Sequence, residues 1–200
     1  MSKRELNISD KKLYEDTKED IILKSPFRIP PKGLQDILNL KSINLSENEF
    51  SVDDHEGISS FGNCKTLEFL DLSANRLGGT LNSFNDGLQN LTKLTSLSMH
   101  SNNLEGQLPI NIYSLINLKY LDLSYNLQLE GEISDRIQNL HKLNHLNLSN
   151  NMFQGEILSY ITDNIPLTAL TYIDLSSNSF TGIIPKTINK LKKLTCLILE

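Results

Sequence analysis

The sequence predicts an α/β-type repeat solenoid, a right-handed coil with a parallel β-sheet on its concave side and irregular or 3-10 segments on its convex side. Two observations indicate this fold class. The 200 residues include 36 leucines and 22 asparagines, although leucine is usually buried and asparagine favours turns. Both residue types also recur every 24 to 27 residues, and such a spacing is typical of repeat architectures.

Each repeat contains the pattern Leu-x-x-Leu-x-Leu-x-x-Asn, with Ile or Met in place of some leucines. In Leu-x-Leu both leucines face the same side of a strand, so we expect one short strand per coil. The asparagine amide that follows can donate to and accept from the backbone of a buried turn. We therefore predict a ladder of amides across the coils. Its members are Asn48, Asn75, Asn102, Asn126, Asn151 and Asn178.

The second half of each repeat contains a glycine, which allows a backbone shape or a close approach that a side chain would obstruct. The repeat that begins at Asn126 has one residue more before its glycine than the repeat at Asn102, which predicts a small bulge. The 27-residue repeats carry about three extra residues, at 82–90 and 158–166. We place these extra residues on the convex side.

The pattern Leu-x-x-Leu-x-Leu-Ser-x-Asn-x-Leu/Phe-x-Gly-x-Ile-Pro resembles the plant-type leucine-rich repeat of receptor-like kinases, receptor-like proteins and polygalacturonase-inhibiting proteins. The segments 121–126 and 171–178 match it almost residue by residue. The resemblance covers residues 29–200 and implies about six complete leucine-rich repeats and a truncated seventh.

By this resemblance, the chain is a non-enzymatic module that recognises a protein or peptide, as part of the ectodomain of a receptor-like protein or kinase in signalling or defence. A co-receptor is a further expected partner on the concave face. Two alternatives stay open. One is a secreted inhibitor of cell-wall polysaccharide hydrolases, and the other is an intracellular leucine-rich-repeat scaffold.

The residues between the leucines form columns across the concave sheet, and we predict that these columns bind the partner. Aromatic rings beside carboxylates and hydroxyls can hold a peptide or carbohydrate by stacking and hydrogen bonding. The alternative is that Tyr and Asp are common fillers of exposed strand positions. The candidate binding residues are Phe69, Asp71, His100, Tyr120, Asp122, Tyr125, His145, Tyr172 and Asp174.

Charge and motif spacing argue against several function classes. The formal net charge is −5 and the basic residues are scattered, which disfavours nucleic-acid binding. No apolar run approaches the 18 or so residues of a membrane span. His141 and His145 lack the glutamate of a helical zinc motif, and we interpret the acidic stretch 53–56 as a solvated loop. We therefore predict no catalytic residue, no metal and no cofactor.

Residues 1–28 differ in kind from the repeats, because 14 of the first 33 residues are charged. We expect either a helix from about Ser9 to Lys24 that caps the solenoid, or a disordered segment. No apolar signal segment and no cysteine-paired cap are present. The chain is thus expected on the extracellular side of the plasma membrane if it is a receptor fragment, and in the cytoplasm if it is complete.

Other sequence features carry weaker expectations. Asn44, Asn90 and Asn147 are candidate glycosylation acceptors in Asn-x-Ser/Thr sequences, and a fourth such sequence begins at Asn7. Their number is close to what chance gives for this composition, and they matter only if the chain is secreted. The terminal segment 191–200 begins a coil without its convex half, so we expect it to fray or associate unless more chain follows.

Overall fold

The computed structural model describes residues 5–8, 11–14, 20–22, 40–51, 60–163 and 167–200. These residues form an eight-stranded parallel sheet to which each repeat contributes one strand and the N-terminal segment contributes one, so the solenoid fold is confirmed. The strands of this sheet in chain order are β3 (Asp20–Ile22), β4 (Ser42–Asn44), β5 (Phe69–Asp71), β7 (Ser96–Ser98), β9 (Tyr120–Asp122), β11 (His145–Asn147), β13 (Tyr172–Asp174) and β15 (Cys196–Ile198).

A second parallel sheet has one strand after each of the five ladder asparagines from Asn75 to Asn178, and sequence analysis did not predict it. Its strands are β6 (Gly78–Thr80), β8 (Asn103–Gly106), β10 (Gln128–Glu132), β12 (Met152–Gly155) and β14 (Ser179–Phe180). The glycine of the repeat has a positive φ, for example 85° at Gly155. An added Cβ at Gly155 would also lie 3.0 Å from Cγ of Glu132 in the preceding coil. Glycine is therefore needed for its backbone angle, and its lack of a side chain leaves room for the Glu132 side chain.

Short helices form the convex side. Two of the 27-residue repeats contain α-helices, α1 (Asn85–Leu88) and α2 (Ile157–Thr162), at the positions of their extra residues. This agrees with the prediction that the extra residues lie there, since three to four residues add one α-helical turn. The 3-10 helices of the described residues are Ser60–Asn63, Leu81–Phe84, Ile110–Ser114, Asp135–Asn139 and Lys186–Lys190.

The core is a continuous stack of leucines from successive coils. Within one coil, Leu67, Leu70 and Leu72 are at most 2% exposed. Each coil covers its apolar side with the next coil, so stability depends on contacts between neighbours. These contacts are tight on the convex side as well, because an added Cβ at Gly62 would lie 2.3 Å from Cα of Gly87.

The N-terminal strands differ from the predicted capping helix. β1 (Glu5–Ile8) and β2 (Lys11–Tyr14) pair in antiparallel fashion, and β3 pairs in parallel with β4. The described residues within 9–24 thus form β2 and β3 instead of a helix. Residues 20–22 form a strand because their backbone pairs with β4, which would otherwise be the unpaired edge of the large sheet. The two β-branched isoleucines of Asp20–Ile22 also favour a strand.

Candidate functional site

One column of side chains on the large sheet brings five positions together, which we call the aromatic column. It contains Phe69, Ser96, Tyr120, His145 and Tyr172, which are register partners in adjacent strands β5, β7, β9, β11 and β13. The His145 ring lies 4.3 Å from the Tyr120 ring and 4.3 Å from the Tyr172 ring, with interplanar angles of 12° and 4°. The spacing of the strands therefore produces a stack of three rings.

Both tyrosine hydroxyls of the stack bond to carboxylates of their own strands. The Tyr120 hydroxyl donates to Oδ2 of Asp122 at 3.2 Å, and the Tyr172 hydroxyl donates to Oδ2 of Asp174 at 3.3 Å. Burial, followed by the negative charge of Asp122, raises the pKa of Tyr120 to about 12. Burial and Asp174 raise the pKa of Tyr172 in the same way. Both shifts favour the protonated hydroxyl, which is the form that donates to the carboxylate.

His145 lies between the two tyrosine rings with a buried Nε2 atom that has no hydrogen-bond partner. Burial lowers the pKa of this imidazole more than the charges of Asp122 and Asp174 raise it. The neutral ring is therefore favoured at neutral pH, and it fits the stack without a counter-charge.

The aspartates of the next column also support the turn at the end of each strand. In Asp71, Asp122 and Asp174, Oδ1 accepts hydrogen bonds from the backbone N–H and the hydroxyl of the serine two residues later. The hydroxyl bonds are 2.6 to 2.7 Å long. Asn44 and Asn147 make the same two bonds. The sequence signal is Asp/Asn-x-Ser, and it is an Asx turn that sequence analysis did not recognise.

The two remaining candidates lie outside the aromatic column. His100 stands where the other coils have the turn serine, and its Nδ1 is 3.0 Å from Oγ of Ser101. Tyr125 is 55% exposed and has a φ of 55°, at the left-handed turn position that precedes the ladder asparagine. The structure therefore brings five of the nine candidates together: the three stacked rings and the two carboxylates that bond to the tyrosine hydroxyls. Phe69 and Asp71 lie in β5, two strands from Tyr120 in β9.

The ladder asparagines bond to the backbone within and between coils. The Asn102 side chain donates to the carbonyls of Leu72, Met99 and His100 at 3.0 to 3.2 Å, and its Oδ1 accepts from Leu77 N at 3.0 Å. Equivalent bonds join Asn75, Asn126 and Asn178 to the preceding coil. Asn151 donates to the Leu123 carbonyl of the preceding coil and to the turn of its own coil, and Asn48 donates to the turn of its own coil.

Other predicted positions are separate from this surface. Asn90 is exposed in a convex turn, whereas Asn44 and Asn147 belong to the Asx turns. Cys64 is buried in the core and Cys196 lies in the last strand of the large sheet. Within the described ranges, His, Cys, Asp and Glu side chains form no group of three or more that is suited to a metal ion. No helix of those ranges is long and apolar enough to cross a membrane.

The parallel sheet, the asparagine ladder and the convex 3-10 turns define a class of protein, the solenoid built from one repeated coil. A family profile described as Leucine Rich Repeat matches residues 39–64, 66–91, 93–115, 117–140, 142–164 and 169–191. The chain belongs to the leucine-rich repeat family.

Relatives with this repeat are plant receptor-like proteins. Putative receptor-like protein 8 of Arabidopsis thaliana is 37% identical over 196 residues, which cover 94% of this chain and 17% of that protein. Receptor-like protein 35 of Arabidopsis thaliana is 40% identical over 168 residues, which cover 80% of this chain and 17% of that protein. The chain thus spans about a sixth of the length of these relatives.

Solved structures of plant receptors have the same fold. The plant peptide hormone receptor RGFR1 in complex with RGF2 superimposes with a TM-score of 0.73 and 30% identity, over 86% of this chain and 26% of that one. A TDR receptor also gives a TM-score of 0.73, with 29% identity over 90% of this chain and 34% of that one.

Proposed function

We propose that this chain is a non-enzymatic recognition module that binds a peptide on its concave sheet, as part of the ectodomain of a plant receptor-like protein or receptor-like kinase. Its relatives are receptor-like proteins, and RGFR1 is a peptide hormone receptor solved in complex with RGF2. Because the chain spans only part of such proteins, the role of the whole receptor belongs to the proposal. So does its place on the extracellular side of the plasma membrane.

The stack of Tyr120, His145 and Tyr172 is the observation that carries the proposal. Within the stack the rings cover one another's faces, so a ligand meets ring edges and the polar groups of the tyrosines. These are large, rigid groups with polar ends, and such groups contribute most of the binding energy in protein interfaces. A peptide that lies across strands β9, β11 and β13 contacts all three rings, and Asp122 and Asp174 then lie beside it.

The proposal is tested with peptides selected from a random display library on the folded chain. We expect Tyr120→Ala and Tyr172→Ala each to weaken the selected peptides by tenfold or more, measured by calorimetry, with the circular dichroism spectrum unchanged. Tyr160→Ala is the matched control, since Tyr160 lies in α2 on the convex side. Equal affinities for the parent chain and both concave variants would contradict the proposal.

A further inference from the structure

We propose that the gap in the aromatic column at Ser96, between Phe69 and Tyr120, binds the guanidinium group of an arginine side chain in a peptide ligand. We call this gap the Ser96 slot. The inference rests on the proposed function, because it assigns a ligand side chain to one position of the same concave surface.

The slot follows from the register of the strands. Ser96 pairs with Phe69 on one side and with Tyr120 on the other. Where neighbouring strands both carry rings, the ring centroids are 4.3 Å apart. Phe69 and Tyr120 are two strands apart, roughly 10 Å, and only a serine stands between them. One planar group placed midway is therefore at stacking distance from both rings.

Beside the slot, the column of Asp71, Ser98 and Asp122 has a small side chain between two carboxylates. Ser98 is buried at 6% exposure and stands where most other coils have Asp or Asn. Its register partners are Asp71 in β5 and Asp122 in β9. The Asx turn of Asp71 engages Oδ1, and its second oxygen remains for a ligand. Asp122 is 6% exposed and its Oδ2 already accepts from the Tyr120 hydroxyl, so the second oxygen of Asp71 is the acceptor that the slot offers, with the negative charge of Asp122 on the other side.

Charge complementarity favours a cation. On the large sheet and at the turn residues that follow its strands, the described part of the chain carries Asp20, Asp71, Asp122, Asp174, Glu47 and Glu200 but no lysine or arginine. The pKa of Tyr120 is consistent with this negative charge, because Asp122 and Asp71 raise it in addition to the larger effect of burial. The residues that precede Phe69 and Tyr120 along the chain, Glu68 and Lys119, are exposed and opposite in charge.

Arginine is the side chain that fits both features. Its guanidinium is planar, stacks on aromatic faces and presents several N–H donors that match carboxylates. A lysine ammonium supplies the charge but cannot stack as a plane, and a neutral aromatic ring stacks but leaves the carboxylates without a partner. The slot is therefore expected to distinguish arginine from both.

The test is a titration of the isotope-labelled chain with N-acetyl-arginine methylamide, followed by NMR. We expect saturable shifts that centre on the amides of Ser96, Ser98 and Tyr120. The citrulline analogue keeps the shape but lacks the charge, and the lysine analogue keeps the charge but lacks the plane. Both should bind at least tenfold more weakly. Shifts that do not saturate, or equal binding of arginine and citrulline, would overturn the inference.

Two variants locate the site. Ser96→Tyr fills the slot with a ring and should abolish the arginine shifts, whereas Ser42→Tyr places the same ring in the same column beyond Phe69 and should leave them unchanged. Asp71→Asn keeps the turn, as Asn44 and Asn147 do, and should weaken arginine binding several-fold without steric change. Retained binding in Ser96→Tyr would also overturn the inference.

Failure of this inference is distinguishable from failure of the proposed function. Library-selected peptides that lose affinity in Tyr172→Ala but are indifferent to Ser96→Tyr would remove the slot and leave peptide recognition intact. Selected peptides that are insensitive to both tyrosine substitutions would contradict peptide recognition, whatever the arginine titration shows.

Discussion

Leu127, the extra residue of its coil, leaves Oδ1 of Asn151 in the next coil without a hydrogen-bond donor. Leu127 has a φ of 43° and is 67% exposed, which confirms the predicted bulge. The N–H two residues after a ladder asparagine normally donates to the next asparagine, as Leu104 N does to Asn126. In the bulged coil this N–H belongs to Gln128 and donates to the Asn126 carbonyl instead. Oδ1 of Asn151 is consequently buried without a partner.

Deletion of Leu127 should increase the free energy of unfolding by about 1 kcal/mol. The deletion gives this repeat the spacing of its neighbour, so an N–H can reach Oδ1 of Asn151, and an unsatisfied buried acceptor costs about 1–3 kcal/mol. Urea unfolding measures the change. Deletion of Asn103, in a coil of regular length, is the control and should destabilise the chain. A destabilised Leu127 deletion would contradict this account of the bulge.

Asn102→Ala should destabilise the chain by about 3 kcal/mol, and Asn151→Ala by at least about 1 kcal/mol less. Both side chains donate to three carbonyls, but only Oδ1 of Asn102 accepts a bond. The two variants are matched in residue type and burial, so urea unfolding of both isolates the value of that acceptor bond. Equal losses would show that the missing bond has no energetic weight.

Asp122→Asn should leave stability almost unchanged, whereas Asp122→Ala should lower the free energy of unfolding by about 1–2 kcal/mol. The amide oxygen of asparagine can accept the two Ser124 bonds, as Asn147 does from Ser149 in the next coil, and alanine cannot. Thermal and urea unfolding measure both variants. A large loss in Asp122→Asn would show that the charge of Asp122, or its Oδ2 as the acceptor of the Tyr120 hydroxyl, stabilises the fold.

Acidification should reduce stability through His145. Burial lowers the pKa of this imidazole in the folded state, while the unfolded imidazole titrates near 6.5. As the pH falls through about 6.5 the unfolded state binds more protons, so the free energy of unfolding decreases until the folded imidazole also protonates.

His145→Phe is the control for this effect, because it keeps a ring between the tyrosines and cannot titrate. The decrease in urea-unfolding free energy between pH 7.5 and pH 5.5 should be smaller in this variant than in the parent chain. An identical decrease in both proteins would assign the pH dependence to other groups.

Much of the fold was predictable because the repeat is periodic. The positions of strands β4 to β15 in the large sheet follow from Leu-x-Leu, and the bulge at Leu127 follows from a count of residues. The helix expected within 9–24 was not found at β2 and β3, since the pairing of β3 depends on a sheet edge distant in sequence. The second sheet was missed because its strands are two to five residues long and most of them contain glycine, a residue depleted in strands.

The sequence by itself determined the coil, its length in repeats and the columns in which concave residues lie, because these depend on local spacing that recurs. Only the tertiary structure decided what the column residues do to one another. The stack at His145 and the ring-free position at Ser96 arise from the register between coils. Such contacts join residues about 25 positions apart, and local sequence preference does not specify them.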